Sequence, residues 1–515
     1  MTFGADPHRL DGVFMRLLLL TAFTATVMGF VGCGGNAENR NEPKQPVARK
    51  RSTSKATAAA KPAAEGTKEF RSAAPPPPTR TLADLAEQAN DEKQGPLDPL
   101  RFRSPVVDDA LCERRGIRRI ESELLTLYTD LASSPAIDEL PKVFNLAVPQ
   151  WAAYFHVEAP RWKAWKMVGV LAADKSRFAG TGLWPDDLPP FPNGYMRDRQ
   201  FWLYDQPSDY YRRELFLHEG THGFMWSFLG SFGPPWYAEG MAELLGTHAW
   251  SDGKLTLGVV PPSKEASPMW GRVKILKDGW SRGTGLTLGE VMHLPPTAHL
   301  KTEAYGWCWG TAVFFDHDPK YQKVFREAPS TVADVSETFS ERLLGRFDEP
   351  AEQIAEQWQC FVANIEYGYD VARESIVRKA ETQALPATGA HVTVAADRGW
   401  QSSGYTLRAG QRYQLSATGR FQIGKSSKPW MSEPGGITLR YYKGRPIGQL
   451  LAAVTDEGKT PGVSPFVRPV AIGVQGELTP ERDGVLYLRV NDSPAELADN
   501  AGELQVSVEA LAAPK

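Results

Sequence analysis

The chain predicts a multidomain protein: an α+β body followed by a C-terminal all-β sandwich of jelly-roll type. Three observations lead there. At 515 residues it is long enough for two or three separately packed cores. Strand-like runs at Lys166–Ala173 and Gly194–Tyr204 stand among segments of helical spacing that reach residue 380, as in an α+β unit. Beyond Ala384-Leu385-Pro386 the pattern switches to about eight short strands separated by turn signals. The boundaries that follow are 1–33 for a leader, 34–98 for a tether, 99–383 for the body and 384–515 for the sandwich.

Composition narrows the function before any motif is read. A net charge of −3 and a pI near 6.4 give no reason to expect a nucleic-acid partner. Aromatic residues make up 10% of the chain, with 15 Trp, which suits packed cores and a sugar- or peptide-binding surface. Cys33, Cys112, Cys308 and Cys360 are too few for a disulfide framework, and none is spaced as a metal pair. Cys308 and Cys360 read either as one bridge or as two buried thiols.

In chain order, a leader-like pattern starts at Met15, where Arg16 precedes an apolar run of secretory length. Translation starts at Met1 or at Met15. The run is shorter than the ~18–20 residues a spanning helix needs, and it ends in Phe30-Val31-Gly32-Cys33. That ending resembles the lipobox of bacterial lipoproteins, with Phe30 where the pattern has an aliphatic residue. The resemblance implies a signal peptide over 1–33 and Cys33 as the lipid-bearing residue. It also implies a secreted protein anchored to a bacterial membrane, at the outer membrane or cell surface, through the lipid alone. From Gly34 the sequence is rich in Ala, Pro, Lys and Ser, including Pro75–Pro78. Such a stretch buries too little apolar surface to offset its ordering entropy, so it reads as a tether stiffened by polyproline II. Thr81–Asn90 could form a short helix.

The body opens with Ile117, Ile120, Leu124, Tyr128 and Leu131 at helical spacing, which predicts an amphipathic helix over Ile117–Leu131. Ala136–Phe155 carries the same spacing, despite Pro149. Lys166–Ala173 and Gly194–Tyr204 read as strands. Then comes Leu215–Met225, an apolar run holding His218-Glu219-Gly220-Thr221-His222. Imidazoles four apart project from one helical face, close enough to share an ion. Zinc suits neutral imidazole nitrogens and leaves a position open for water, and Glu219 stands where it can take that water's proton. On the histidines alone, ordinary helical histidines explain the pattern equally well.

After the break Gly230–Pro235 the chain resumes as Trp236-Tyr237-Ala238-Glu239-Gly240-Met241-Ala242-Glu243, a second helix returning antiparallel across a short turn. Glu239 can offer a third ligand. Glu243, one turn on, can accept the second N–H of a liganding histidine and fix its tautomer. The competing reading makes both glutamates part of a solvated face. With both helices in view the chain resembles the gluzincin zinc peptidases, in particular the peptidase-MA-like group. The resemblance implies a zincin-like α+β fold, with His218, His222 and Glu239 as ligands to Zn2+ and Glu219 as general base. It also implies that a strand ahead of the metal helix forms the upper cleft wall, with an edge free to pair with a peptide.

Leu255–Leu257 reads as part of a hairpin, and Thr302–Phe315, Tyr321–Ala328 and Glu349–Ala380 as helices below the site. Tyr305 opens the first of these. By the same resemblance it steadies the oxyanion of the tetrahedral intermediate; its plainer reading is a core aromatic. His248, His293, His299 and His317 read as structural or exposed.

In the sandwich, strands are expected at His391–Ala395, Tyr405–Leu407, Tyr413–Ala417, Ile437–Tyr442, Pro446–Val454, Val467–Ile472, Val485–Val490 and Leu504–Val508. The loop between the last two carries Asp492, Asp499 and Asn500, oxygen donors of the kind a hard cation requires. An acidic surface loop without an ion is the plainer reading. The segment, with its Leu486–Gly502 run LYLRVNDSPAELADNAG, resembles the calcium-dependent galactose-binding lectins of the PA-I type. That resemblance implies Ca2+ held by the side chains of Asp492, Asp499 and Asn500 and by the backbone carbonyls of Glu496 and Ile423. Sugar hydroxyls would sit on the ion. The family's sugar-contacting histidine and glutamine have no counterpart in Glu433-Pro434-Gly435-Gly436. Together the resemblances imply a zinc peptidase acting on peptides or glycoproteins, with an appended glycan-binding module. The alternative is a non-catalytic surface glycan-binding protein with a relic peptidase fold.

Overall fold

The computed structural model describes residues 105–336, 338–459 and 462–512. The leader, Cys33, the tether and the expected Thr81–Asn90 helix lie outside the described residues. No helix among the described residues is long and apolar enough to cross a membrane.

The first half is built on a five-stranded sheet of β1 (Arg118–Glu121), β2 (Leu125–Thr129), β3 (Met167–Ala172), β4 (Gly194–Arg197) and β5 (Gln200–Tyr204). Its order is β1-β2-β3-β5-β4. β2, β3 and β5 run parallel, while β1 and β4 are antiparallel edges. The amphipathic helix expected over Ile117–Leu131 is therefore wrong; the segment is two strands. Leu125 and Leu127 face the main core and Tyr128 faces a second cluster behind the sheet, with Val170 and Trp202. A strand covered on both faces reads as a continuous apolar run, and such runs mimic helical spacing. Gly194–Tyr204, expected as one strand, is the β4–β5 hairpin turned at Asp198 with φ +58°.

The expected Ala136–Phe155 helix resolves into a short turn of helix and α1 (Leu140–Tyr154), with Pro149 inside it. It connects β2 to β3 as a crossover between parallel strands. Trp151 and Phe144 of α1 pack on Phe224 and Phe216 of the long helix α2 (Asp209–Leu229). The Ser208 hydroxyl caps α2 by accepting from the Tyr211 N–H at 3.0 Å, a preferred N-cap arrangement. α3 (Pro235–Gly246) starts with proline at its first position, where the missing N–H costs nothing.

Below these lie the hairpin β6 (His248–Ser251) and β7 (Lys254–Leu257), then α4 (Arg272–Arg282), α5 (Thr302–His317) and a short helix Gln322–Glu327. The long helix expected over Glu349–Ala380 stops early. It forms as α6 (Ala351–Asn364), and Gly368 with φ +77° turns the chain before the single turn Val371–Glu374. Cys112, Cys308 and Cys360 are free, buried thiols, so the bridged reading of Cys308 and Cys360 is set aside.

The second half is a β-sandwich. One sheet orders β14 (Gly435–Tyr442), β15 (Arg445–Thr455), β18 (Gly484–Val490), β10 (Gln401–Leu407) and β8 (Gln383–Ala384). The other orders β17 (Gln475–Leu478), β11 (Tyr413–Thr418), β20 (Glu503–Ala510) and β9 (Ala390–Ala395). Leu415, Leu450, Leu486, Leu488 and Val506 fill the space between them. A third small sheet joins β12 (Phe421–Lys425), β13 (Pro429–Ser432) and β19 (Asn500–Ala501). These three and β17 were missed in the sequence because each is short and broken by polar residues. The strand expected over Val467–Ile472 shrinks to β16 (Val470–Ala471), behind Pro469. A separate apolar cluster of Cys360, Ile376, Trp400, Phe466 and Tyr487 joins the halves, beside the buried Arg489–Glu374 ion pair.

Candidate metal centre

Two packed helices place the expected site residues around one point. His218 Nε2 stands 3.4 Å from Glu239 Oε2, and His222 Nε2 stands 3.6 Å from the same oxygen. The pairing runs antiparallel, since His218 also reaches Glu243 on the next turn of α3, Nδ1 to Oε1, at 3.5 Å. The ligand atoms of His218, His222 and Glu239 all lie within 4.8 Å of one another. Atoms bound tetrahedrally at ~2.0–2.1 Å from one zinc ion are separated by about 3.3–3.4 Å, so the observed spacings suit a shared ion. Glu239 Oε2 is moreover buried and accepts no hydrogen bond. A buried acceptor without a partner is costly, and a cation at this point would satisfy it.

The imidazoles and carboxylates also pair with one another electrostatically. Burial by itself raises the Glu239 carboxyl, but the two adjacent imidazoles outweigh it and hold the group well below the usual range. Burial likewise opposes charge on His218, yet Glu239 and Glu243 together carry the ring well above its ordinary value. Glu219 lies in the same wall, and its carboxyl is raised by burial. Its Oε1 is so close to β4 that a Cβ at Gly194 would fall 2.5 Å from it. Glycine at that edge-strand position leaves room for the carboxylate.

The cleft encloses about 350 Å³ between β4, α2, α3 and α5. Gly194–Asp198, Trp226, Phe232, Leu294 and His299 are among its lining residues. Phe232 stacks on Trp226 at 5.8 Å and meets the His222 ring edge-on at 5.5 Å. Tyr305 also lines the cleft, its ring centroid 6.0 Å from that of His218. Burial first, then the Glu239 and Glu219 carboxylates, push its hydroxyl far up, so it stays protonated.

Sequence reading missed several parts. Glu214 lies one turn before His218, a spacing that could have revealed it, and with His218 and Glu243 it forms a second buried group. Burial and the Glu243 carboxylate raise it to about 8. Arg272, which donates to both oxygens of Glu243 at 2.8 Å, sits on α4 with no local signature. His299 lines the cleft rather than standing apart from it. Of the others, His248 stacks on Tyr210 at 4.6 Å and His317 Nε2 is 2.8 Å from the Gly258 carbonyl oxygen, while His293 is exposed.

The second expected site is gathered differently. The Asp492 side chain accepts from the Ser493 N–H at 2.8 Å and from Asn500 Nδ2 at 2.9 Å. Asp499 accepts from the Lys425 N–H at 3.2 Å, and Glu496 pairs with Arg440. Ile423 lies opposite Asn500 in the β12–β19 register. The Glu496 carbonyl accepts from the Asp499 N–H at 3.3 Å. The carboxylates of Asp492, Glu496 and Asp499 do not gather as the zinc-type group does. Asn500 Oδ1 is the exception, buried and without a partner, beside an Asp492 that burial raises to about 6.

No protein-family model matches the chain, and no curated protein matches it. Among solved structures, a chain described as "EclA N-terminal domain; PllA-like lectin" is 21% identical, at a TM-score of 0.19. That match covers 24% of this chain and 95% of the other. The IMPa protein from Pseudomonas aeruginosa, solved in complex with an O-glycopeptide, is 13% identical at a TM-score of 0.15. There 51% of this chain and 25% of the other are covered, so this chain spans about a quarter of that protein. At such scores the chemistry rests on the side chains, not on these likenesses.

Proposed function

We propose that the chain is a zinc-dependent peptidase of the HExxH…E type, lipid-anchored through Cys33 and carrying a glycan-binding sandwich. The single observation that supports it best is the convergence of three donor atoms, from His218, His222 and Glu239, in the wall of an open cleft. Bound zinc would supply Lewis acidity and a water of near-neutral pKa. The rest of the chemistry falls to the chain. Glu219, whose carboxyl burial raises, can accept a proton and return it to the leaving amine. Tyr305, held protonated, can donate to charge developing on the substrate carbonyl oxygen. The β4 edge can pair with an extended peptide or glycopeptide backbone, and Phe232 and Trp226 offer it an apolar wall.

The test is metal analysis of the purified protein, with hydrolysis of casein or a peptide library before and after Glu219→Gln. Stoichiometric zinc and cleavage lost in the variant are expected. Zinc without Glu219-dependent cleavage would favour the non-catalytic binding protein instead.

For the sandwich, the unpartnered Asn500 Oδ1 beside Asp492 supports a Ca2+ site with Asp499 and the carbonyls of Glu496 and Ile423. We read it as a glycan-binding module that concentrates the enzyme on its substrate. A glycan array with and without EGTA tests this, and sugar binding indifferent to the chelator removes the calcium proposal.

A further inference from the structure

We propose that Arg272 is a positioning residue for this site, one guanidinium that fixes both an imidazole ligand and the tyrosine facing it. The inference rests on the zinc reading of His218, His222 and Glu239. Arg272 opens α4 and is 6% exposed. Its Nε and Nη2 donate to Glu243 Oε2 and Oε1, each at 2.8 Å, the paired fork that fixes a carboxylate in plane as well as in position. Glu243 Oε1, so held, is the atom that faces His218 Nδ1 at 3.5 Å. The other nitrogen of that ring is thereby left toward Glu239 and the cleft.

The same guanidinium also lies under Tyr305, 5.6 Å from the ring centroid, a cation–π distance. Tyr305 in turn stands edge-on to His218. Four groups thus close a ring: His218, Glu243, Arg272, Tyr305 and back to His218. The chain brings them from four different helices, α2, α3, α4 and α5, and Arg272 of α4 is the member that touches both arms. Charge balance alone does not require this geometry. A lysine could neutralise Glu243, but its single ammonium could not both grip two oxygens and present a flat face to Tyr305.

The test uses the full chain, with zinc affinity read by chelator competition and kcat and KM read on a cleaved peptide. Arg272→Lys keeps the buried charge. It is expected to retain the fold, bind zinc roughly 10-fold more weakly, and lose kcat at saturating zinc with KM little changed. In Arg272→Ala, millimolar guanidinium chloride is expected to restore part of both zinc affinity and kcat by refilling the space. Arg272→Lys with wild-type zinc affinity and kcat overturns the proposal, leaving Arg272 a simple counter-charge. A wild-type chain that binds no zinc overturns the underlying metal reading instead, before any variant is compared.

Discussion

The two candidate ion sites are built on opposite principles. In the first half, His218, His222 and Glu239 project from packed helices, and the oxygen they share accepts no hydrogen bond. In the sandwich, Asp492, Glu496 and Asp499 are already satisfied by Ser493, Asn500, Arg440 and Lys425. Only Asn500 Oδ1 is left over. A buried acceptor that takes no hydrogen bond is costly until an ion satisfies it. A set that has found partners within its own chain must break them first. Zinc at the helical site is therefore expected to bind much more tightly than Ca2+ at the loop.

The halves also differ in how firmly the sites are seated. The helical site shares a core with Trp151, Phe216 and Trp270. The loop site lies on the seam between halves, where Ser493 Oγ donates to Glu366 at 2.5 Å and the Asp370 N–H donates to the Pro494 carbonyl at 3.1 Å. Ion binding at the loop should thus be felt by the helical half as well.

The contrast can be broken most directly at Glu219. Glu219→Gln should lower kcat/KM by roughly 10³-fold, within the range for a lost general base, while zinc content by metal analysis stays at the wild-type level. Loss of zinc in that variant would make Glu219 a structural part of the donor set.

A second contrast is acid sensitivity. His248 lies in the helical half, where its Nδ1–H donates to the Gly246 carbonyl at 2.8 Å and its Nε2 accepts from Arg213. Burial, then the Arg213 charge, lower it to about 4 against the backbone bond that favours the charged ring. A histidine depressed in the folded state binds fewer protons than in the unfolded chain between the two values. Its stability contribution is whole above about 6.5 and drains away as pH falls to about 4, by ~3 kcal/mol in all. Thermal melts across that window should show a steep acid limb that flattens in His248→Phe. An identical limb in the variant assigns the acid loss elsewhere.

Packing offers a smaller perturbation. A Cβ at Gly240 would come within 2.9 Å of the Cys308 carbonyl oxygen, so α3 and α5 approach as closely as they do because residue 240 is glycine. Gly240→Ala should cost about 1–3 kcal/mol and, by moving neighbouring Glu239, weaken zinc binding. Equal destabilisation with wild-type zinc affinity would show that the donor set tolerates the shift.

The smallest effect belongs to the loop. Ca2+ at a hundredfold over its Kd should raise the Tm of the chain by about 3 °C, and Asn500→Ala should remove the response. A rise of that size at trace Ca2+ would erase the predicted difference in affinity between the two sites.

What could be read from sequence follows from how local each feature is. His218, Glu219 and His222 lie on one helix turn, and the spacing of Glu239 and Glu243 shows that those two share a helical face, so periodicity grouped each set within its own helix. The sandwich was legible because turn residues and alternation mark strands locally. Ile117–Leu131 was misread because burial on both faces of a sheet removes the alternation that signals a strand. The early end of α6 was missed because nothing before Gly368 interrupts the helical spacing.

The residue pattern by itself determined which side chains could bind an ion and which helices carried them. Tertiary packing alone decided that Glu239 would complete the histidine pair, that Arg272 would arrive from a distant helix, and that Asp492 would turn inward toward Asn500. Those outcomes depend on the distance and direction between segments far apart in the chain. Such quantities are set by how cores fill space, and no local spacing of residues encodes them.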